Sequence, residues 1–346
     1  MSIIFNKKTI MTVIILLAIG FPLITKNDYF IHVMTLSFIW MIAVYGLNLL
    51  AGYTGYLSLA HAGFFAVGAY SLGLLTVKAQ MPYWTAFLLS LIITSVLGLL
   101  IGIVALRTKE HFFAIYTMCV GYILYLVIDK WDTLTEGVRG LIGIPAPADI
   151  GPLTFQTPVS LYYLVLFFLL FTVFIMYRIV HSLTGRSYIA IRNSEDLALT
   201  LGISTIKNKL ASFVISTFFA GLSGALYASF VRFIGPDIGG ISITFDLLTY
   251  LLVGGLGTLS GPIVGTLIIV WVSQQLQFLQ DYRMLIFGPA LTFMIIFYPW
   301  GLVGGFANWK MKLKERKERK SSLRGAITKD SILENNSGSN NRVEEG

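Results

Sequence analysis

The sequence predicts an all-α, polytopic membrane protein of about ten transmembrane helices, and three observations carry that prediction. Hydrophobic residues make up 56% of the chain and charged residues only 12%, against the ~25% charge of an ordinary soluble domain. The apolar residues fall in continuous runs, where a membrane β-barrel would alternate them. Lipid offers no partner to an unpaired backbone group, so each run is expected to be a helix of about 20 residues. The cations, finally, collect in a few short segments that fall on one side of the membrane when the number of spans is even.

The runs lie near residues 10–25, 29–50, 56–77, 83–106, 111–128, 159–180, 210–233, 241–255, 261–279 and 284–304. The first follows Lys7 and Lys8 as a signal peptide would. No small-residue cleavage site follows it, and the turn Lys26-Asn27-Asp28 leads straight into the second, so a retained helix is expected. Glycine and polar residues interrupt the third and the eighth, the least regular of the set. Arg107 and Lys109 separate the fourth and fifth. Arg178, Arg186, Arg192, Lys207 and Lys209 lie in or beside the loop after the sixth, and KMKLKERKERK follows the tenth from Lys310. The positive-inside rule assigns all of these, with both termini, to the cytoplasm of a multi-pass cell-membrane protein. The opposite side receives Asp129–Pro158, which is turn-rich and slightly acidic.

This reading divides the chain into a membrane domain, 1–308, and a basic, largely disordered cytoplasmic tail, 309–346. The tail serves as a topological stop that also meets anionic lipid headgroups. The net charge of +8 is accounted for by these segments and calls for no nucleic-acid partner. Cys119, the one cysteine, lies inside an apolar run and is expected to be a buried packing residue. No Cys/His spacing for a metal, no GxxxxGK[ST] phosphate loop and no nucleophile–base pair is present. No catalytic residue, metal or cofactor is therefore expected, and the chain is not read as an enzyme.

Two segments carry information beyond span count. Gly46–Tyr70 reads GLNLLAGYTGYLSLAHAGFFAVGAY, with Asn48, Thr54, Ser58 and His61 set among glycines. As a whole it fits a broken or re-entrant segment lining the route of a polar solute; each single residue, His61 included, fits tight helix packing equally well or better. The second segment, HSLTGRSYIAIRNSEDLALTLGISTIKNKL from His181, is basic and helix-capable between two apolar runs. It reads as a docking surface for a soluble partner, with a short helix closed by Gly202. Asp246 falls near the outer end of the eighth run and is read as structural or interfacial. Gly254, Gly255, Gly257, Gly261 and Pro262 mark a tight cytoplasmic turn between the eighth and ninth.

Five blocks in order resemble the permease subunits of branched-chain amino acid ABC importers: Gly46–Tyr70; Arg107–Pro145, containing WDTLTEGVRGLIGIP; Gly185–Ala228; LLVGGLGTLSGPIVG from Leu251; and YRMLIFGPALTFMIIFYPWGL from Tyr282. The resemblance implies an ABC-importer permease fold. Its implied partners are two ABC ATPase subunits, a second related permease and an extracytoplasmic substrate-binding protein that meets Asp129–Pro158, a stretch that reads equally as a plain connector. Arg186, Glu195, Ala198 and Gly202 fall in the family's coupling loop, of Glu-Ala-Ala…Gly type, with Leu197 in place of the first alanine. Asn48, Thr54, Ser58 and His61 would lie along the path. Branched-chain amino acids are the implied substrate, with urea or short amides as the near alternative. An ion-coupled secondary transporter would also explain the spans, but it leaves the docking loop unexplained.

Overall fold

The computed structural model describes residues 7–25, 27–108, 110–152, 154–275, 292 and 301–305. Most of the tenth predicted span, the 309–346 tail, Lys26 and Lys109 lie outside the described residues. The fold is all-α. Among the described residues five helices are long and apolar enough to cross a membrane, and four shorter apolar helices accompany them.

Helix α1 (Lys7–Ile24) contains Pro22, which has no N–H to give to the carbonyl of Ala18. The Tyr162 hydroxyl of α7 (Pro158–Val180) donates to that carbonyl at 2.5 Å and so ties the two helices together. Helix α2 (Asp28–Leu47) starts on an Asn27 cap, whose side chain accepts from the Tyr29 N–H, and continues as a π-helix over Asn48–Thr54. The predicted third span does not start at 56. Gly55–Ala60 is non-helical, and α3 runs from His61 to Val77. In the segment between them Tyr56, Ser58 and Ala60 are buried while Gly55 and Leu57 are exposed, and Gly55 stands in the left-handed region at φ +85°.

Helix α4 (Tyr83–Ala105) is followed by α5 (Glu110–Lys130) and a short α6 (Asp132–Thr135). Strand β1 (Leu141–Ile142) pairs antiparallel with β2 (Phe233–Ile234), Leu141 opposite Ile234. After α7 come α8 (Leu183–Asn193), α9 (Glu195–Thr200) and the long α10 (Thr205–Val231). Helices α11 (Ile241–Gly254) and α12 (Gly261–Gln275) form a hairpin whose turn holds Gly255 at φ +121° and Gly257 at φ +70°.

Helix α10 is the centre of the bundle, packed against α2, α3 and α4. The apolar lengths of α2 with its π continuation and of α10 are 72% and 67% buried, those of α4, α5 and α7 only 33%, 28% and 39%. The last three therefore form the wall. Cys119 belongs to that wall: it is exposed, contrary to the packing role its apolar context indicates. The inward stripe of α5 runs through Phe113, Thr117, Gly121 and Ile128, and Cys119 stands on the other face. Composition gives the depth of a residue in an apolar run, not the direction it points.

Candidate functional site

The predicted docking loop folds into two helices at one end of the bundle, pinned from inside and apolar outside. Ser182 caps α8 by accepting from the Gly185 N–H, and Ser194 caps α9 by accepting from the Leu197 N–H. Tyr188, Ile191 and Ala198 turn inward and are buried. Burial pushes the Tyr188 phenol up to about 12. Leu183, Leu197, Leu199, Leu201 and Ile206 turn outward, with Leu197 61% and Leu201 70% exposed. The leucine that replaces an alanine in the family pattern thus lies on the outer surface, while Ala198 sits in the core.

Gly202 closes α9. Its N–H donates to the Leu199 carbonyl and the Ile203 N–H to the Ala198 carbonyl, both at 3.0 Å. This pair of bonds is the Schellman arrangement, which needs a left-handed residue between the helix and its exit; Gly202 has φ +77°. A Cβ there would meet nothing within 4 Å among the described residues, so the requirement is conformational and not steric.

Glu195 opens α9 and is clamped. Its Oε1 lies 2.6 Å from Lys209 Nζ, its Oε2 accepts from the Tyr56 hydroxyl at 2.5 Å, and Lys209 Nζ donates to the same hydroxyl at 3.1 Å. Burial alone would raise the Glu195 carboxyl. The hydrogen bonds from Lys209 and Tyr56 and the lysine's charge outweigh it and hold the group below its ordinary 4.5. Only 5% of the Lys209 side chain is exposed. Arg186 stands exposed on α8 and makes none of these contacts. Arg192 anchors α8, donating from Nη1 to the Gly52 carbonyl at 2.6 Å.

The four polar residues predicted along a path are all buried and bonded to the bundle. Asn48 accepts from the Gly257 N–H at 2.9 Å and donates to the Thr258 carbonyl at 2.8 Å, clasping the α11–α12 turn. Thr54 donates to the Leu49 carbonyl at 3.1 Å. Ser58 accepts from the Ala60 N–H at 3.4 Å. His61 Nε2 lies 2.6 Å from Ser216 Oγ, whose own hydrogen goes to the Gly46 carbonyl. The histidine is therefore the donor in that pair. Its Nδ1 has no partner among the described residues.

Sequence reasoning did not single out Tyr56, and it read Lys209 and Arg192 only as loop charge. The contacts that give them roles run between residues 139 and 153 apart for Tyr56 and 140 apart for Arg192, beyond any local pattern. The signal that was available for Lys209 is its place at the start of an apolar helix, where a cation needs a partner.

At the other end of the bundle Lys78 pairs with Glu136 at 2.6 Å, and its hydrogen bond holds the Glu136 carboxyl below its ordinary value. Trp84 Nε1 donates to the Ala148 carbonyl at 2.9 Å, and β1 pairs with β2, so the described residues that follow α5 form a folded cap.

Residues 29–297 match the family described as branched-chain amino acid transport system / permease component. The high-affinity branched-chain amino acid transport system permease protein LivM of Escherichia coli (strain K12) is 26% identical over 320 residues, 86% of this chain and 75% of that one. The corresponding LivH protein of Salmonella typhimurium is 24% identical over 292 residues, 78% of this chain and 92% of that one. No solved structure matches the chain.

Proposed function

Because this chain belongs to the family of branched-chain amino acid transport permeases, LivM-like and not enzymes, we propose that it is the membrane subunit of an ATP-driven importer, which docks its ATPase through α8 and α9. The observation that carries this reading is the short helix α9, capped at both ends, pinned through Glu195 and Ala198, and presenting Leu197, Leu199 and Leu201 outward. Exposed apolar residues grouped on a rigid loop mark an interaction surface. Closure of an ATPase against that surface would move α8–α9 as a rigid body.

The rest of the reading follows from the same placement. The end of the bundle carrying Arg107, Arg192 and α9 is the cytoplasmic one, with both termini on that side and the 1–308 domain completed by a tenth span. The cap over 129–157 then faces outward, where a substrate-binding protein would deliver branched-chain amino acids, the cargo that the names of LivM and LivH state for those proteins. A second related permease and two ATPase subunits complete the assembly, and the 309–346 tail meets lipid headgroups. The route itself is assigned to the break at Gly55–Ala60. The Leu59 N–H reaches Thr117 Oγ1 at 3.1 Å, about 10 Å along α5 from its start. Non-helical chain at that depth is tolerated only beside protein or water. Asn48, Thr54, Ser58 and His61 hold the walls of that break.

Affinity purification of the tagged chain from its native membrane, with identification of what accompanies it, tests the reading. Recovery of ATPase subunits and a second permease is the expected result. Recovery of this chain alone, active in vesicles without an ATPase, would replace it with a secondary transporter. Uptake of radiolabelled leucine against urea and acetamide by the purified assembly decides the substrate.

A further inference from the structure

The end of α2 is wired to the docking loop, and the wiring begins with a missing hydrogen bond. In an α-helix the Tyr56 N–H would bond the Gly52 carbonyl. Here both Gly55 and Tyr56 donate to the Leu50 carbonyl instead, at the end of the π-helical stretch. The Gly52 carbonyl released in this way is taken by Arg192 of α8 at 2.6 Å. Gly55 and Gly257 leave the room that this arginine needs. A Cβ on Gly55 would come within 3.0 Å of Arg192 Cγ, and one on Gly257 within 2.7 Å of its Nη1.

The second connection is the Glu195, Lys209, Tyr56 triangle. It joins three separate elements: the start of α9, the first turns of α10 and the non-helical segment that leads to α3. The Tyr56 ring is fixed by an edge-on contact with Phe113 of α5 at 5.3 Å and lies under Lys209 Nζ at 4.8 Å. A movement of α8–α9 therefore reaches Gly52, before the break, and Tyr56, within it, through bonds to side chains. π-helical segments are rare and are found frequently at functional sites.

Resting on the docking reading above, we infer that Tyr56, Lys209 and Arg192 are positioning residues that pass the movement of the docking helices into the π-helical end of α2 and the Gly55–Ala60 break that follows it. The Tyr56 hydroxyl is the joint between the loop and the non-helical segment.

The test uses the whole complex purified with its ATPase subunits, trapped with vanadate and ATP, and reads hydrogen exchange in peptides covering residues 48–60. In the wild-type complex trapping is expected to change exchange there. Tyr56→Phe keeps the ring and its packing but removes the hydroxyl; it is expected to shrink that change at least about fivefold, the lower range of coupling between sites, with ATPase subunits still bound. Lys209→Met should do the same and Lys209→Arg should restore it. An unaltered change in Tyr56→Phe and Lys209→Met, or no change in wild type, overturns the inference and leaves docking intact. Loss of the ATPase subunits from Tyr56→Phe overturns it too, because the triangle would then merely shape the docking surface. A wild-type chain that carries no ATPase at all removes the docking reading itself.

Discussion

Gly68 and Gly221 face each other backbone to backbone: a Cβ built on Gly68 would lie 2.5 Å from the Gly221 Cα. The crossing of α3 with α10 continues at Gly224, which packs on the Phe65 carbonyl. Small residues on facing helices let backbones approach this closely, and in lipid that contact is a main source of helix association. Gly221 is also pressed by Thr94 of α4, with Thr94 Cβ 2.7 Å from a hypothetical Cβ. Three helices therefore meet around one glycine. Gly68→Leu and Gly221→Val are expected to destabilise the bundle by about 1–3 kcal/mol or more through overpacking. The readout is the thermal melting temperature of the purified protein in detergent, where a wild-type value would show that the crossing can open.

Asn48 shows a different kind of dependence. Its amide satisfies one donor and one acceptor of the α11–α12 turn, at Gly257 and Thr258, and Asn48 itself is 1% exposed. Asn48→Ala would strand both backbone groups, at about 1–3 kcal/mol each if water does not reach them. Asn48→Asp keeps the acceptor for Gly257 but sets a carboxylate oxygen against the Thr258 carbonyl, so it should melt no higher than the alanine variant. Rescue by aspartate would show that the Thr258 contact is dispensable.

What was legible in the sequence and what was not divide along range. The long helices were plain because about 20 apolar residues in a row have few alternatives. The short helix α9 was legible from Gly202, since a C-cap is local chemistry, while its Ser194 N-cap was missed although it is equally local. A break within Gly46–Tyr70 was legible from its glycines and polar residues, but its place at Gly55–Ala60 was not, because Tyr56, Leu57, Leu59 and Ala60 are as apolar as their neighbours and the π continuation of α2 leaves no compositional mark. The outward direction of Cys119 and the partners of Glu195 were also out of reach. Both depend on which helix lies next to which.

The clamp on Glu195 predicts a pH dependence. Its folded pKa lies below the ordinary 4.5, with Lys209, Tyr56 and Thr205 as the groups that stabilise the ionised form. The stabilisation is therefore complete above the unfolded value and disappears as pH falls through the folded one. Glu195→Gln lacks the charge at every pH. The melting temperature of wild type should exceed that of the variant at pH 7 and the gap should close below about pH 4.5. A gap independent of pH would mean that the carboxylate charge contributes nothing and that the variant suffers only from setting an amide N–H against the Lys209 or Tyr56 donor.

Gly202 separates conformation from contact more cleanly than any other residue of the loop. It is exposed, its φ is +77°, and no atom of the described residues lies within 4 Å of where a Cβ would stand. A Cβ there meets none of the described residues, so a defect is expected to come from the left-handed backbone, at about 1–2 kcal/mol for an L-residue, or from the partner. β-branched valine should suffer most, alanine less, and asparagine, which tolerates this conformation, least. If the Schellman cap is what matters, ATPase retention on affinity purification should fall in the order Gly, Asn, Ala, Val, while the amount of inserted protein stays constant. If instead the ATPase surface packs against Gly202 directly, asparagine would be worse than alanine because it is larger. The relative retention of these two variants thus distinguishes a glycine that shapes α9 from one that makes room for its partner.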